Sequence, residues 1–183
     1  MVASTPAAEA PDGLPRPELV AALPRMRRYA RVLTGDATRA DDLVQDALAR
    51  AWEKRRLWRA GSDLRAWLFT IMHNVHVNQL ASGRREAANV SIESLGDDGG
   101  WQPSVRGGET QRLELAEVLR AMARLPADQR EVLLLAAVEE LRYEEIAAVL
   151  AVPIGTVMSR LSRARERLRA LMAEPAASLR LVK

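Results

Sequence analysis

Two short patterns in the chain have residue types and spacings that could do chemistry. The first is "HNVH", which sets both histidines of the protein, His73 and His76, three residues apart in an apolar stretch. Imidazoles at i and i+3 share a helix face and could ligate one metal ion. No cysteine exists, however, and no acidic cluster lies nearby to complete a ligand set. The second is "SRLSRARER", which interleaves Ser159 and Ser162 with Arg160, Arg163, Arg165 and Arg167. The planar guanidinium fork suits bidentate contacts to phosphates and base edges, so this is a nucleic-acid pattern. A solvated Arg-rich helix face is the bland alternative.

The elements that must position these residues are helical. Ala and Leu supply much of the 48% hydrophobic fraction, and β-branched runs are few. The absence of Cys excludes disulfides and thiolate metal sites. The N-terminus has no basic start followed by an apolar core, so a signal peptide is not expected, and no apolar run has bilayer-spanning length. A soluble cytoplasmic protein is the expectation. Lys54 and Lys183 are the only lysines among 27 basic residues. GC-rich coding also raises Arg, so position along the chain matters more than content.

Residues 1–17, rich in Pro and Ala, are expected to be a disordered tail. Residues 18–86 read as helices with short breaks. Residues 87–111 hold five Gly, one Pro and four acids against one Arg, the composition of a flexible acidic linker. Helical pattern returns over 112–173, before a tail at 174–183. The expected fold class is all-α, with two small helical domains joined by a tether.

In the C-terminal half, apolar residues at 115, 118, 119, 122 and 125 give one face of a helix. Pro126 suits the start of the next, with Asp128 near its positive end. "YEEIAAVLAV" then ends at Pro153, where "IGTVMSRLSRARERLRALM" begins, the pattern of a helix-turn-helix. Val157, Leu161, Ala164, Leu168 and Leu171 form the buried stripe of the last helix. Residues 154–173 carry five Arg and one Glu, whereas 112–146 carry five Arg and eight acids. Positive charge is concentrated on the helix that would enter a major groove.

In the N-terminal half, Thr38 followed by Asp41 resembles a capping box. Leu43, Val44, Ala47, Leu48, Ala51 and Trp52 form the apolar stripe, and Asp42, Gln45, Asp46 and Ala49 lie outside it. By residue type alone this is a solvated amphipathic helix. The next helix has two populated faces. Leu64, Trp67, Leu68, Ile71 and Val75 form the expected core. Phe69, His73, His76 and Leu80 line the opposite side, to pack on a neighbouring helix or to meet a partner.

These segments also carry a resemblance. "YEEIAAVLAVPIGTVMSRLSRARERL" is similar to region 4 of bacterial sigma factors of the extracytoplasmic-function (ECF) group, and "ADDLVQDALARAW" to their region 2. "DLRAWLFTIMHNVHVNQLASGRR" follows at the family's spacing and matches the segment that opens and reads the −10 element. The resemblance implies core RNA polymerase contact by Asp41, Asp42, Leu43, Gln45 and Asp46. It implies −10 DNA contact by Asn74, Arg84 and Arg85. For −35 DNA it implies Thr156, Ser159, Arg160, Ser162 and Arg163, with Arg165 and Arg167 on phosphates. Met158 stands where the family usually has Lys or Arg, so −35 preference does not carry over. The linker would run toward the polymerase active site, which suits Asp97 and Asp98.

The implied partners are core RNA polymerase, promoter DNA and an anti-sigma factor, with no cofactor and no bond made by this chain. Two other readings remain: a stand-alone helix-turn-helix regulator, and a sigma-like adaptor that sequesters an anti-sigma factor. An enzyme has only the His pair in its favour.

Overall fold

The computed structural model describes residues 14–89 and 109–173. Among them are seven α-helices and no strand: α1 (Arg16–Thr34), α2 (Ala37–Glu53), α3 (Leu64–Asn89), α4 (Glu109–Ala123), α5 (Ala127–Ala137), α6 (Tyr143–Leu150) and α7 (Ile154–Ala173). A single 3₁₀ turn, Arg55–Leu57, follows α2. The all-α expectation holds.

The helices pack as two units. In the first, α2 lies against α1 and α3; in the second, α7 lies against α4, α5 and α6. Met26, Tyr29, Leu43, Val44, Leu68, Phe69 and Met72 fill the first core. Leu134, Leu135, Ile146, Val157, Leu161 and Ala164 fill the second, so the expected stripe of α7 is the buried one. The units are not separate bodies, because α3 packs on α6 and α1 on α4 and α5, and their apolar interiors run together.

Local signals set the boundaries. Gly35 adopts φ 73 after α1 and donates its N–H to Arg31 O, a left-handed helix stop that glycine takes without a Cβ penalty. Asp36 then caps α2, accepting from the Arg39 N–H at 2.6 Å. The cap is therefore Asp36 and not the Thr38–Asp41 pair expected from sequence, because the Gly35 stop fixes where the next helix can start. Asp63 does the same work before α3, accepting from the N–H groups of Arg65 and Ala66. Leu14 is buried and α1 starts at Arg16, both inside the proposed 1–17 tail. The helices extend into the proposed 87–111 linker from both sides, to Asn89 and from Glu109. The rest of that linker, and the 174–183 tail, lie outside the described residues.

Between α6 and α7 the chain turns by 102°, within the helix-turn-helix range. The turn hinges on Ala151, whose φ of 52 and ψ of 42 are left-handed. A Cβ there costs about 1–2 kcal/mol, only part of which glycine returns in chain entropy. Ala151→Gly is therefore expected to stabilise the protein by up to about 1 kcal/mol, raising Tm by roughly 2–4 °C in a calorimetric scan.

Candidate polymerase and nucleic-acid interfaces

The outward face of α2 presents Asp41, Asp42, Gln45 and Asp46, all exposed. They recur at helical spacing and are held from beneath by the buried Leu43, Val44 and Ala47. Leu43 is 0% exposed, which corrects its assignment as a polymerase contact: it braces the acidic face and offers no surface. Asp46 accepts from Gln79 Nε2 at 2.9 Å, pinning the acidic face to α3. Trp52, expected in the stripe, is 44% exposed and lies under the Arg55 guanidinium at 4.9 Å. That cation–π pair was not legible from spacing, because it forms after α2 has ended.

On α3, Leu64, Leu68, Ile71 and Val75 are buried as expected, Trp67 is half-buried and Asn74 is exposed. Arg84 and Arg85 belong to α3, which continues to Asn89. The opposite face of α3 is covered at Phe69 and His76 and partly at His73, whereas Leu80, expected on the same face, is 43% exposed. Phe69 meets Tyr29 edge-on, with ring centroids 5.0 Å apart. His73 Nδ1 lies 2.8 Å from Glu131 Oε1, and Tyr29 donates its hydroxyl hydrogen to the same oxygen at 2.7 Å. The histidine pattern is thus a packing face in which His73 holds a carboxylate. Among the described residues no group of three or more His, Cys, Asp and Glu could hold a metal ion.

Sequence reasoning missed Tyr29, Glu131 and Glu139. One signal was available, since Glu131 shares the apolar stripe of α5 with Leu134 and Leu135. An acid there must find a partner or be destabilising.

The electrostatics follow from burial. Burial foremost, and then the adjoining Glu131, push the Tyr29 hydroxyl well above its ordinary range, so it remains a donor. His76 is buried beside this group, and desolvation draws its pKa below the ordinary 6.5, against the opposing pull of Glu131.

On α7, Ser159, Ser162, Arg163, Arg165 and Arg167 are exposed and Thr156 is partly so. Arg163 folds back, its Nε donating to Ser159 O at 3.2 Å. Arg160 is different. Its side chain is 26% exposed and its Nε lies 3.2 Å from Asp128 Oδ2 on α5, so one edge of the fork is already used. The remaining residues divide into two rows. Arg163 and Arg167 run beside Gln129, whereas Ser162 and Arg165 line a shallow groove with Tyr143 and Met158.

An exposed acidic helix face in one unit and a helix-turn-helix whose second helix carries exposed arginines in the other fit the class of DNA-binding transcription regulators. Residues 19–73 match the family model described as the Sigma2 domain of PhyR, and residues 115–168 match Sigma-70, region 4. The chain is 39% identical over 159 residues to the ECF RNA polymerase sigma factor EcfG of Rhodopseudomonas palustris, covering 86% of this chain and 84% of the relative. Among solved structures it is similar to the sigma factor RpoE of Bartonella quintana in complex with the anti-sigma factor NepR. That match has a TM-score of 0.74 and 38% identity, covering 87% of this chain and 97% of the other. It is also similar to CnrH in complex with the cytosolic domain of CnrY, with a TM-score of 0.59 and 29% identity, covering 85% and 86%. The chain belongs to the ECF group of RNA polymerase sigma factors. Among the described residues no single helix is long and apolar enough to cross a membrane.

The depressed pKa of His76 has a sign. The unfolded chain takes up a proton near 6.5, while the folded chain resists until lower pH. The contribution of His76 is therefore complete above 6.5 and is lost as pH falls below it. His76→Leu is expected to lose less Tm than wild type between pH 7.5 and 5.5 in calorimetry, with the two converging in slope above pH 7.

Proposed function

We propose that this protein binds core RNA polymerase through the acidic face of α2 and directs initiation at promoters whose −10 and −35 elements are read by α3 and α7. The observation that carries this reading is that one chain holds both surfaces: exposed Asp41, Asp42, Gln45 and Asp46 on α2, and the exposed arginines of a helix-turn-helix on α7. Its activity is binding and positioning, with no bond made or broken by the chain, and its place is the cytoplasm. Arg163, Arg165 and Arg167 neutralise phosphates and set affinity; Thr156, Ser159 and Ser162 reach base edges. At the −10 element Asn74 supplies hydrogen bonds to an extruded base, and Arg84 and Arg85 follow the backbone. Regulation by an anti-sigma factor is supported by the similarity to the sigma factor RpoE of Bartonella quintana, whose structure is a complex with the anti-sigma factor NepR.

A second reading, a sigma-like adaptor that captures an anti-sigma factor, draws on the match of residues 19–73 to the Sigma2 domain of PhyR. The Arg-rich reading helix favours the first.

Run-off transcription with core polymerase separates them. Wild type is expected to initiate at a cognate promoter and Asp42→Arg to fall to background, with helicity by circular dichroism unchanged because Asp42 is exposed. Failure of wild type at every promoter, combined with tight anti-sigma binding, would favour the adaptor.

The arginine roles have their own test. For the holoenzyme on promoter DNA, each of Arg163→Ala and Arg167→Ala is expected to reduce the slope of log Kobs against log salt by about 1. An unchanged slope removes that residue from the phosphate set.

A further inference from the structure

The arginines of α7 are not equivalent. Thr156, Arg160, Arg163 and Arg167 follow at steps of four, three and four, so they form one row along the helix. Arg163 and Arg167 are exposed, and Arg163 bonds to the neutral Ser159, whose carbonyl accepts from its Nε at 3.2 Å. Arg160 has its Nε 3.2 Å from Asp128 Oδ2. Among the described residues it is the only arginine of α7 in an ion pair with a carboxylate.

That carboxylate comes from a fixed place. Asp128 sits in the first turn of α5, where the positive end of the helix favours its charge. The same end of α5 is tied down by Arg130, whose Nη2 donates to Ala123 O at 3.0 Å and to Leu125 O at 3.1 Å. The body of α5 packs along α7. With side chains 48% and 26% exposed, Asp128 and Arg160 meet at the surface beside the row.

An adjacent acid changes what a guanidinium can contribute. Binding through phosphates draws on net positive charge, because each neutralised phosphate releases counterions. A guanidinium already offset by a carboxylate has little of that to offer, and the carboxylate repels a phosphate brought close. What remains is geometry. Contact at Nε leaves the edge formed by Nη1 and Nη2 free, and holding one side of the planar fork fixes where the other points. Two donors in a fixed direction match the O6 and N7 acceptors of guanine in the major groove, the commonest base-specific contact of arginine.

We infer that Asp128 is a positioning residue for Arg160, which reads a guanine in the promoter element entered by α7, while Arg163 and Arg167 on the same row hold phosphates. This rests on the proposed function and adds to it a specificity-determining pair that spans two helices.

The test separates sequence preference from charge. Holoenzyme made with the full chain is offered promoter duplexes randomised across the −35 element, and the bound DNA is sequenced. Wild type is expected to select guanine at a position where Asp128→Ala and Arg160→Ala each weaken the preference about tenfold. Arg160→Lys keeps the charge without the fork and should fare no better than Arg160→Ala. The double variant should lose no more than Arg160→Ala alone, since Asp128 acts through Arg160. It also removes a neutral pair, so its slope of log Kobs against log salt should match that of wild type, unlike Arg163→Ala. Helicity by circular dichroism should be unchanged throughout, because neither residue belongs to the apolar core.

The same selected sequence in wild type and Asp128→Ala overturns the positioning role. Guanine preference kept by Arg160→Lys, or a salt slope in the double variant reduced as far as in Arg163→Ala, makes Arg160 a phosphate contact and overturns the reading role. If wild type selects no sequence at all, the proposed function fails and the pair's role falls with it. A wild-type selection that both single alanine variants reproduce sinks this inference alone.

Discussion

The arrangement depends on the double burial of α3. An ordinary surface helix buries one stripe and leaves the other face to water. Here Leu64, Leu68, Ile71 and Val75 enter the first core, while Phe69, His73 and His76 are covered by Tyr29, Glu131 and the second unit. The two faces do different energetic work. The aliphatic face contributes by area removed from water, which is non-directional and tolerates small shifts. The histidine face depends on aligned hydrogen bonds to a carboxylate, which small shifts destroy. The first contributes to the core of its own unit, and the second joins that unit to α5 of the other. Asn74 sits at the exposed edge between them, so its surroundings depend on both.

Much of this was legible because periodicity reports burial directly. The stripes of α2 and α7, the two faces of α3 and the punctuation by Pro153 are properties of consecutive residues. What escaped notice depended on distant ones. The partner of Tyr29 is 102 residues away and that of His73 is 58 away, so no local window contains either pair. Trp52 obeys the stripe in spacing, but the chain leaves α2 one residue later and Arg55 swings over the ring. Leu43 shows a different limit. A motif carried over as a unit assigns contact to every residue in it, whereas the physics of a helix puts the leucine under the acids and not among them. The cap of α2 was misplaced by two residues because Asp36 and Thr38 have similar capping preferences, and only the left-handed Gly35 decides between them.

The reading helix shows how the scaffold limits what side chains can do. Arg160 has the residue type of a DNA contact, yet Asp128 already holds its Nε, so part of its donor capacity joins α5 to α7. A guanidinium shared in this way is oriented, and its remaining donors point where α5 allows. Arg163 is held more weakly by Ser159, at an exposed position where water competes, so it can turn outward with little loss. Met158 completes the argument. It is 54% exposed on the groove-facing row with Ser162 and Arg165, where it supplies bulk without charge or hydrogen bond. A thioether cannot neutralise phosphate, and among base-edge features in the major groove only the thymine methyl complements an apolar group. On the proposed reading of α7, this row would offer DNA shape at Met158 and hydrogen bonding at Ser162 and Arg165, a division of labour that a basic residue at position 158 would not impose.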